Sequence, residues 1–113
     1  METFLRNTSF YVEHTLLYKD TMLPVNLDSL NDIIIEYYHY STGTNLLTRK
    51  FSTGGVNKVN SAGGVCAVYI NDADTLGSNK GMYMFRVTAK VANTNFDGGE
   101  AEFANFGKAF ILT

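Results

Sequence analysis

The chain has 113 residues, a length that fits one domain with one hydrophobic core. Only 18% of its residues are charged, below the roughly 25% of an average soluble domain, so we expect a partner to cover part of the surface. The net charge of -2 comes without a basic run, which argues against nucleic acid as a ligand.

The sequence also lacks the signals of export and membrane insertion. No apolar stretch reaches the roughly 20 residues that span a bilayer. Residues 1–10 do not have the basic segment and apolar run of a secretory signal, and Cys66, the single cysteine, cannot form an internal disulfide. We therefore expect folding in a reducing cytoplasm and no membrane contact.

Short runs of aromatic and β-branched residues, separated by Gly, Asn, Asp and Ser at intervals near ten residues, predict an all-β fold. Residues 1–9 show no such pattern and are predicted to be an N-terminal arm, which either orders on a partner or frays. The domain proper is expected over residues 10–113. Residues 10–19 alternate as a strand does, and so do residues 23–27, where Pro24 indicates an edge or a bulge.

The middle of the chain contains the densest run of β-forming residues. In residues 33–40, alternation places Tyr37 and His39 on one face and Tyr38 and Tyr40 on the other, and Glu36 indicates that the second face points outward. Residues 46–52 and 56–60 predict edge strands. Residues 65–70 are apolar on both faces, which predicts a central strand.

The last third of the chain predicts two more strands. Residues 82–91 alternate throughout, with Tyr83 inside and with Met82, Met84 and Arg86 outside. A loop is expected over residues 92–102 and a final strand over residues 103–112. About seven or eight strands result, the number that an antiparallel sandwich needs.

The segment between the predicted central strand and the strand after it carries a recognisable pattern. Asp72, Leu76, Gly81 and Tyr83 form a D-x-x-x-L…G-x-Y sequence that resembles immunoglobulin-like sandwiches. In such domains a tyrosine corner ties the loop to the following strand through a hydroxyl hydrogen bond, which implies that role for Leu76, Gly81 and Tyr83. The chain has neither a cysteine pair nor a tryptophan, which excludes an antibody-type domain.

The order of motifs along the chain extends this resemblance. The motifs are L-P-V-N-L, I-I-I-E-Y, G-G-V, V-Y-I-N-D-A-D-T-L, G-x-Y-x-F-x-V and G-x-x-F-I-L. Across most of the chain they resemble the immunoglobulin-like domain at the N-terminus of tailed-bacteriophage baseplate and receptor-binding-apparatus proteins. Those proteins carry further host-binding domains, whereas this sequence ends at Thr113, so the resemblance does not lead us to expect receptor binding.

The resemblance implies a non-enzymatic structural component of a virion, made in the host cytoplasm. The expected roles are an auxiliary or decoration protein on the capsid and an attachment module of the tail or baseplate. The partners implied are other virion proteins and further copies of the chain, and no cofactor is implied.

Two groups of residues are candidate partner contacts. Tyr38 and Tyr40 share the predicted outward face and could anchor a protein partner or stack on a sugar, which makes a small carbohydrate-binding module the alternative function. Met82, Met84 and Arg86 form a second candidate surface, since exposed methionine suits adaptable interfaces. Alternatively, both groups pack beneath loops of the chain itself.

The residues that could catalyse a reaction or bind a metal do not form a known pattern. His14, His39 and Cys66 lie in predicted strands and lack the paired spacing of a zinc site, and Cys66 sits in an apolar run typical of an inert thiol. Residues 93–98 match the first half of a calcium loop, but Ala104 stands where the bidentate glutamate belongs. We therefore expect no enzymatic activity and no metal.

Overall fold

The chain folds into eight β-strands in two sheets, as described for all residues, Met1–Thr113, by a computed structural model. The strands are β1 (Thr3–Phe4), β2 (Phe10–Thr15), β3 (Asp32–His39), β4 (Asn45–Lys50), β5 (Asn57–Asn60), β6 (Val65–Ile70), β7 (Gly81–Ala92) and β8 (Glu100–Leu112). The only helices are four short 3₁₀ turns, and none of them has the length and hydropathy to cross a bilayer. The predicted all-β sandwich is confirmed.

The larger sheet has the order β1-β8-β7-β3-β4, and the smaller sheet has the order β2-β6-β5. This arrangement, with β8, β7, β3 and β4 in one sheet facing β2, β6 and β5 in the other, is the strand order of an immunoglobulin-like sandwich. The first strand departs from a purely antiparallel design. It lies beside β8 in parallel orientation, and no strand lies on the open side of β2.

Alternation along β3 and β7 produces the two layers. In β3, every second side chain from Ile33 to His39 is buried and the side chains between them are half-buried, as the sequence predicts. The strand is antiparallel to β7 over its whole length, which places Tyr37 opposite Phe85. The predicted assignment of inner and outer faces in β3 is therefore confirmed.

The core fills the space between the sheets with one cluster of 17 buried residues. Its largest fully buried side chains are Tyr37 and Phe110, whose ring centroids lie 5.3 Å apart. Phe110 also packs on Tyr83 at 5.5 Å. Contacts between aromatic rings at such distances add to the free energy gained from burying their surface, so this group stabilises the packing of the two sheets.

The edge and central positions agree with the sequence-based expectations. The strands β4 and β5 lie at sheet edges, and β6 lies at the centre of the smaller sheet. The predicted loop over residues 92–102 is shorter than expected, because β7 extends to Ala92 and β8 begins at Glu100. These two strands pair over their full length as a hairpin.

The predicted strand over residues 23–27 is wrong, and the strand over residues 10–19 ends early. A tight hairpin follows β2, in which the Val25 N–H donates to the Leu16 carbonyl and the Tyr18 N–H donates to the Leu23 carbonyl. Only Leu17 and Pro24 form a β-bridge. Because proline has no N–H, the ladder does not continue there.

Residues 1–9, for which we expected an arm or a frayed terminus, lie against the sandwich. Thr3–Phe4 forms β1, and the Phe4 ring stacks on Phe10 with centroids 4.0 Å apart. The Arg6 guanidinium donates to the Ser78 carbonyl at 2.9 Å. Backbone pairing and these side-chain contacts make the segment part of the larger sheet.

Candidate functional site: the outer face of the larger sheet

The five predicted contact residues lie together on the outer face of the larger sheet. Tyr38 of β3 is directly opposite Met84 of β7, and Arg86 is opposite Glu36. At the end of β3 the Tyr40 N–H donates to the Met82 carbonyl at 2.9 Å. We name the surface formed by Tyr38, Tyr40, Met82, Met84 and Arg86 the Tyr38 face.

Exposure varies across the Tyr38 face. Tyr40 is 63% exposed and Arg86 is exposed, whereas Tyr38, Met82 and Met84 are half-buried by their neighbours on the sheet. The loop over residues 93–99 connects β7 to β8 and starts after Ala92, at the opposite end of β7 from Met82 and Met84. The Tyr38 face thus combines two tyrosines and two methionines with the charged side chain of Arg86, and Glu36 lies beside it.

Phe106 borders this face on β8 and was not among the predicted contact residues. It is opposite Arg86 in the register, and its side chain is 57% exposed. The Arg86 guanidinium lies 5.4 Å from its ring centroid, and Lys19 lies 5.5 Å away, both within the range of a cation–π interaction. Side chains alternate between the two faces along β8, and Phe106 is on the same face as the charged Glu102 and Lys108. This alternation is the signal that could have predicted an outward ring.

The predicted tyrosine corner hydrogen bond is present. The Tyr83 hydroxyl donates to the Asn79 carbonyl at 2.8 Å, and Tyr83 is the third residue of β7. Burial raises the pKa of the Tyr83 hydroxyl, which keeps it protonated as the donor. Gly81 has a φ of +123°, and a Cβ added there would lie 3.1 Å from the His39 imidazole, so glycine is required at this position.

Leu76, the third residue assigned to the corner, does not pack there. Its side chain is 69% exposed, whereas the neighbouring Thr75 is completely buried. The 3₁₀ turn Asp72–Thr75 rotates Thr75 inward, and the Thr75 hydroxyl accepts the Asn7 N–H at 2.7 Å. The 3₁₀ turn is itself held by Asp74, whose carboxylate accepts the Asn71 N–H and pairs with Arg49 at 2.9 Å.

The interior holds one polar cluster that links the two sheets. The His14 imidazole of β2 and the Tyr37 hydroxyl of β3 form a 2.7 Å hydrogen bond, and Cys66 is opposite His14 in the smaller sheet. Burial lowers the pKa of His14 to about 4 and raises the pKa of the Cys66 thiol to about 12. At neutral pH both groups are uncharged, so the thiol is not activated as a nucleophile.

His39 has a structural environment at the end of β3. Its Nε2 donates to the Lys80 carbonyl at 2.9 Å, and its Nδ1 accepts the Thr42 N–H at 3.3 Å. These bonds join the β3–β4 turn to the loop before β7. His39 and His14 thus have separate partners, Lys80 and Thr42 for the first and Tyr37 for the second.

The half-match to a calcium loop is a turn between β7 and β8. The Asn93 amide oxygen accepts the Asn95 N–H, and the Asn93 N–H donates to the Gly99 carbonyl. Gly98 and Gly99 both have positive φ, which glycine adopts without strain. No group of three or more His, Cys, Asp or Glu side chains is positioned to hold a metal ion.

A second exposed aromatic group lies on the smaller sheet and was also missed. Tyr11 of β2 and Tyr69 of β6 are directly opposite each other, with ring centroids 5.6 Å apart. They are 53% and 60% exposed. The alternation of residues 10–19 put Tyr11 on the face opposite His14, which was the available signal for an outward ring.

The chain matches no protein-family model, and it has no significant match among curated proteins or solved structures.

Proposed function

We propose that the chain is a non-enzymatic structural component of a tailed-phage virion, which attaches to another virion protein through the Tyr38 face. Its location would be the capsid, as an auxiliary or decoration protein, or the tail or baseplate, as an attachment module. The resemblance of its motifs to tailed-phage immunoglobulin-like domains supports the virion part of this proposal. The low charged fraction supports a partner-covered surface.

The amino-acid composition of the Tyr38 face supports its assignment as the attachment surface. Tyrosine, methionine and arginine are the residue types enriched at protein interfaces, and lysine and glutamate are depleted there. Here Tyr38, Met84 and Arg86 occupy adjacent positions on β3 and β7. The sheet presents them together with little loss of backbone entropy on binding, since the strands already hold the backbone in place.

The direct test is mass spectrometry of gradient-purified virus particles from a culture that produces the protein. Copies of the chain are counted against the major capsid protein. Hundreds of copies for each particle support a capsid location, and a few or a dozen support the neck or baseplate. Complete absence from purified particles contradicts the proposal.

Carbohydrate binding is the second candidate function. It depends on Tyr40, whose ring is 63% exposed, and on Tyr38 beside it on the same face, because a sugar can stack on an exposed aromatic ring. A glycan array separates the two functions. Binding to a defined glycan that is lost in Tyr38→Ala favours the carbohydrate function, and an array without signal rejects it.

A further inference from the structure

The sandwich has four edge strands, and they differ in how they are protected against pairing with another chain. The strand β1 has only two residues, and very short edge strands are poor templates for pairing. The ladders of β4 and β5 each contain a bulge, and these strands carry Lys50 and Lys58. Bulges and edge lysines are the devices by which natural sheets avoid edge-to-edge association.

The fourth edge strand, β2, has none of these protections. Its six residues pair with β6 in one continuous register without a bulge. It contains no lysine and no proline, and Glu13 is its only acidic residue. On its other side there is no strand, and no loop or side-chain hydrogen bond of the chain ends on the backbone of Phe10–Thr15.

The open side of β2 is also accessible. A groove of about 680 Å³ separates β2 from β1 and β8, with Phe4, Val12 and Ala109 among its lining residues. The groove runs beside Ser9–Glu13, so the backbone N–H and carbonyl groups of β2 that point to this side are accessible from outside. An extended polypeptide is the chemical partner that satisfies such a row of alternating donors and acceptors.

We propose that β2 pairs with β2 of a second copy of this chain, antiparallel about a twofold axis. Such a dimer is closed, because each copy uses its one unprotected edge and leaves the protected edges outside. The pairing makes one continuous sheet in the order β5-β6-β2 followed by β2-β6-β5 of the second copy. This inference concerns an edge of the smaller sheet and is independent of the Tyr38 face.

The side chains of β2 select the register. A twofold axis at Glu13 places two carboxylates directly opposite each other, which is destabilising. An axis at Val12 places Tyr11 opposite Glu13 of the second copy. An axis at Tyr11 places the two tyrosine rings opposite each other and Glu13 opposite Ser9, so it combines an aromatic cross-strand pair with no like-charge contact.

The Tyr11-centred register explains the exposed tyrosine pair of the smaller sheet. Tyr11 already contacts Tyr69 within one copy, at 5.6 Å between ring centroids. In the dimer the rings form a row of four, in the order Tyr69, Tyr11, then Tyr11 and Tyr69 of the second copy. The aromatic surface that is exposed in one copy is thereby partly covered in two.

Engineered disulfides test the pairing and its register together. In Tyr11→Cys the two new thiols face each other at a Cβ separation of about 4.5–5.5 Å, from which a small backbone movement allows a disulfide to form. In Tyr69→Cys they are three strand spacings apart, about 14 Å, and cannot join. The native Cys66 is buried with a raised pKa, so it does not compete for the oxidant.

The expected result is a covalent dimer of Tyr11→Cys under mild oxidation and a monomer of Tyr69→Cys. Light scattering of the unmodified protein should show a mass that rises with concentration from 12.5 kDa towards twice that value. Tyr11→Lys, which introduces an edge lysine, should reduce dimerisation at least about tenfold, whereas Val59→Lys on the edge strand β5 should not.

A mass that stays at the monomer value up to the solubility limit overturns the proposal. So does equal crosslinking of the Tyr11→Cys and Tyr69→Cys proteins, or a dimer that persists unchanged in Tyr11→Lys. A monomeric protein that still co-purifies with virions would reject the dimer and leave the proposed function standing. A protein that dimerises but is absent from every virion would support the dimer and reject the proposed function.

Discussion

Both faces of β3 carry isoleucine and tyrosine, but these residues have different surroundings on the two faces. On the inner face, the Tyr37 hydroxyl is bonded to His14 and the His39 imidazole is bonded to two backbone groups. On the outer face, the hydroxyls of Tyr38 and Tyr40 have no hydrogen-bond partner within the chain. Adjacent tyrosines in one strand therefore differ in whether their polar atoms serve the fold or remain available to a partner.

Whether a tyrosine hydroxyl has a partner within the chain distinguishes residues that stabilise the fold from residues that are available for binding, which composition alone does not do. Aromatic residues are good strand formers on either face, so a tyrosine-rich strand does not by itself indicate a binding surface. A buried hydroxyl must find a partner in the chain, because an unsatisfied one costs about 1–3 kcal/mol. Changes on the inner face should thus alter stability, and changes on the outer face should alter attachment.

Acid is expected to have the largest effect, and it acts on the inner face. The folded state holds the pKa of His14 at about 4, below its ordinary value of 6.5, because burial disfavours the charged imidazole. Stability is complete above pH 6.5 and falls as the pH drops towards 4, since only the unfolded chain binds the proton in that window. The loss is about 3 kcal/mol, measurable by urea denaturation at a series of pH values.

His14→Gln is the control for this titration, because glutamine can still bond the Tyr37 hydroxyl and does not ionise. The stability of the variant should change less between pH 6.5 and 4 than that of the parent protein. Parallel pH profiles for the two proteins would show that His14 is not the group responsible.

A matched pair of substitutions in β3 compares the two faces directly. Tyr37→Phe removes the hydrogen bond to His14 and leaves a buried ring nitrogen without a partner, so the free energy of unfolding should fall by about 2 kcal/mol. Tyr38→Phe removes a hydroxyl without a partner in the chain and should change it by less than about 0.5 kcal/mol. Chemical denaturation measures the free energy of unfolding of both variants. Equal decreases would show that the two faces of β3 do not differ in this way.

The tyrosine corner should give a smaller loss of stability than Tyr37→Phe does. Tyr83→Phe deletes the hydrogen bond to the Asn79 carbonyl and should cost about 1 kcal/mol, because Asn79 is exposed and water can replace the lost donor. The denaturation midpoint should decrease while its slope stays unchanged. An unchanged midpoint would mean that the loop before β7 is held by other contacts, such as those of Arg6.

The sequence predicted those parts of the fold in which apolar and polar residues alternate along a strand. The period of two in β3 and β7 is imposed by burial of one face, so it assigned Tyr37 and Tyr83 inward and Tyr38 and Met84 outward. The D-x-x-x-L…G-x-Y pattern located the tyrosine corner for a similar reason, since Gly81 and Tyr83 have local geometric roles. Leu76 was misplaced because a 3₁₀ turn, which has a different period, carries that part of the pattern.

The remaining errors involve contacts that periodicity does not encode. Residues 24–27 alternate in burial because a hairpin packs on the core. They form no ladder, because hydrogen bonding depends on Pro24 and on the approach of Leu16. Residues 1–9 join β8 at the other end of the chain, a pairing without local sequence signal. Alternation is enough to place Phe106 and Tyr11 outward, but their contacts with Arg86 and Tyr69 depend on the register between strands.

The most direct test of the central claim is attachment of face-specific variants to purified virus particles. Tyr38→Glu places a charge on the outer face of the larger sheet, Tyr40→Glu does so at a site that is 63% exposed, and Val59→Glu does so at the exposed edge of the smaller sheet. Co-sedimentation with particles that lack the protein measures binding, and thermal denaturation verifies that each variant is folded. We expect a loss of at least about tenfold in binding for Tyr38→Glu and Tyr40→Glu and unchanged binding for Val59→Glu. Folded Tyr38→Glu and Tyr40→Glu proteins that bind as well as the parent would contradict it.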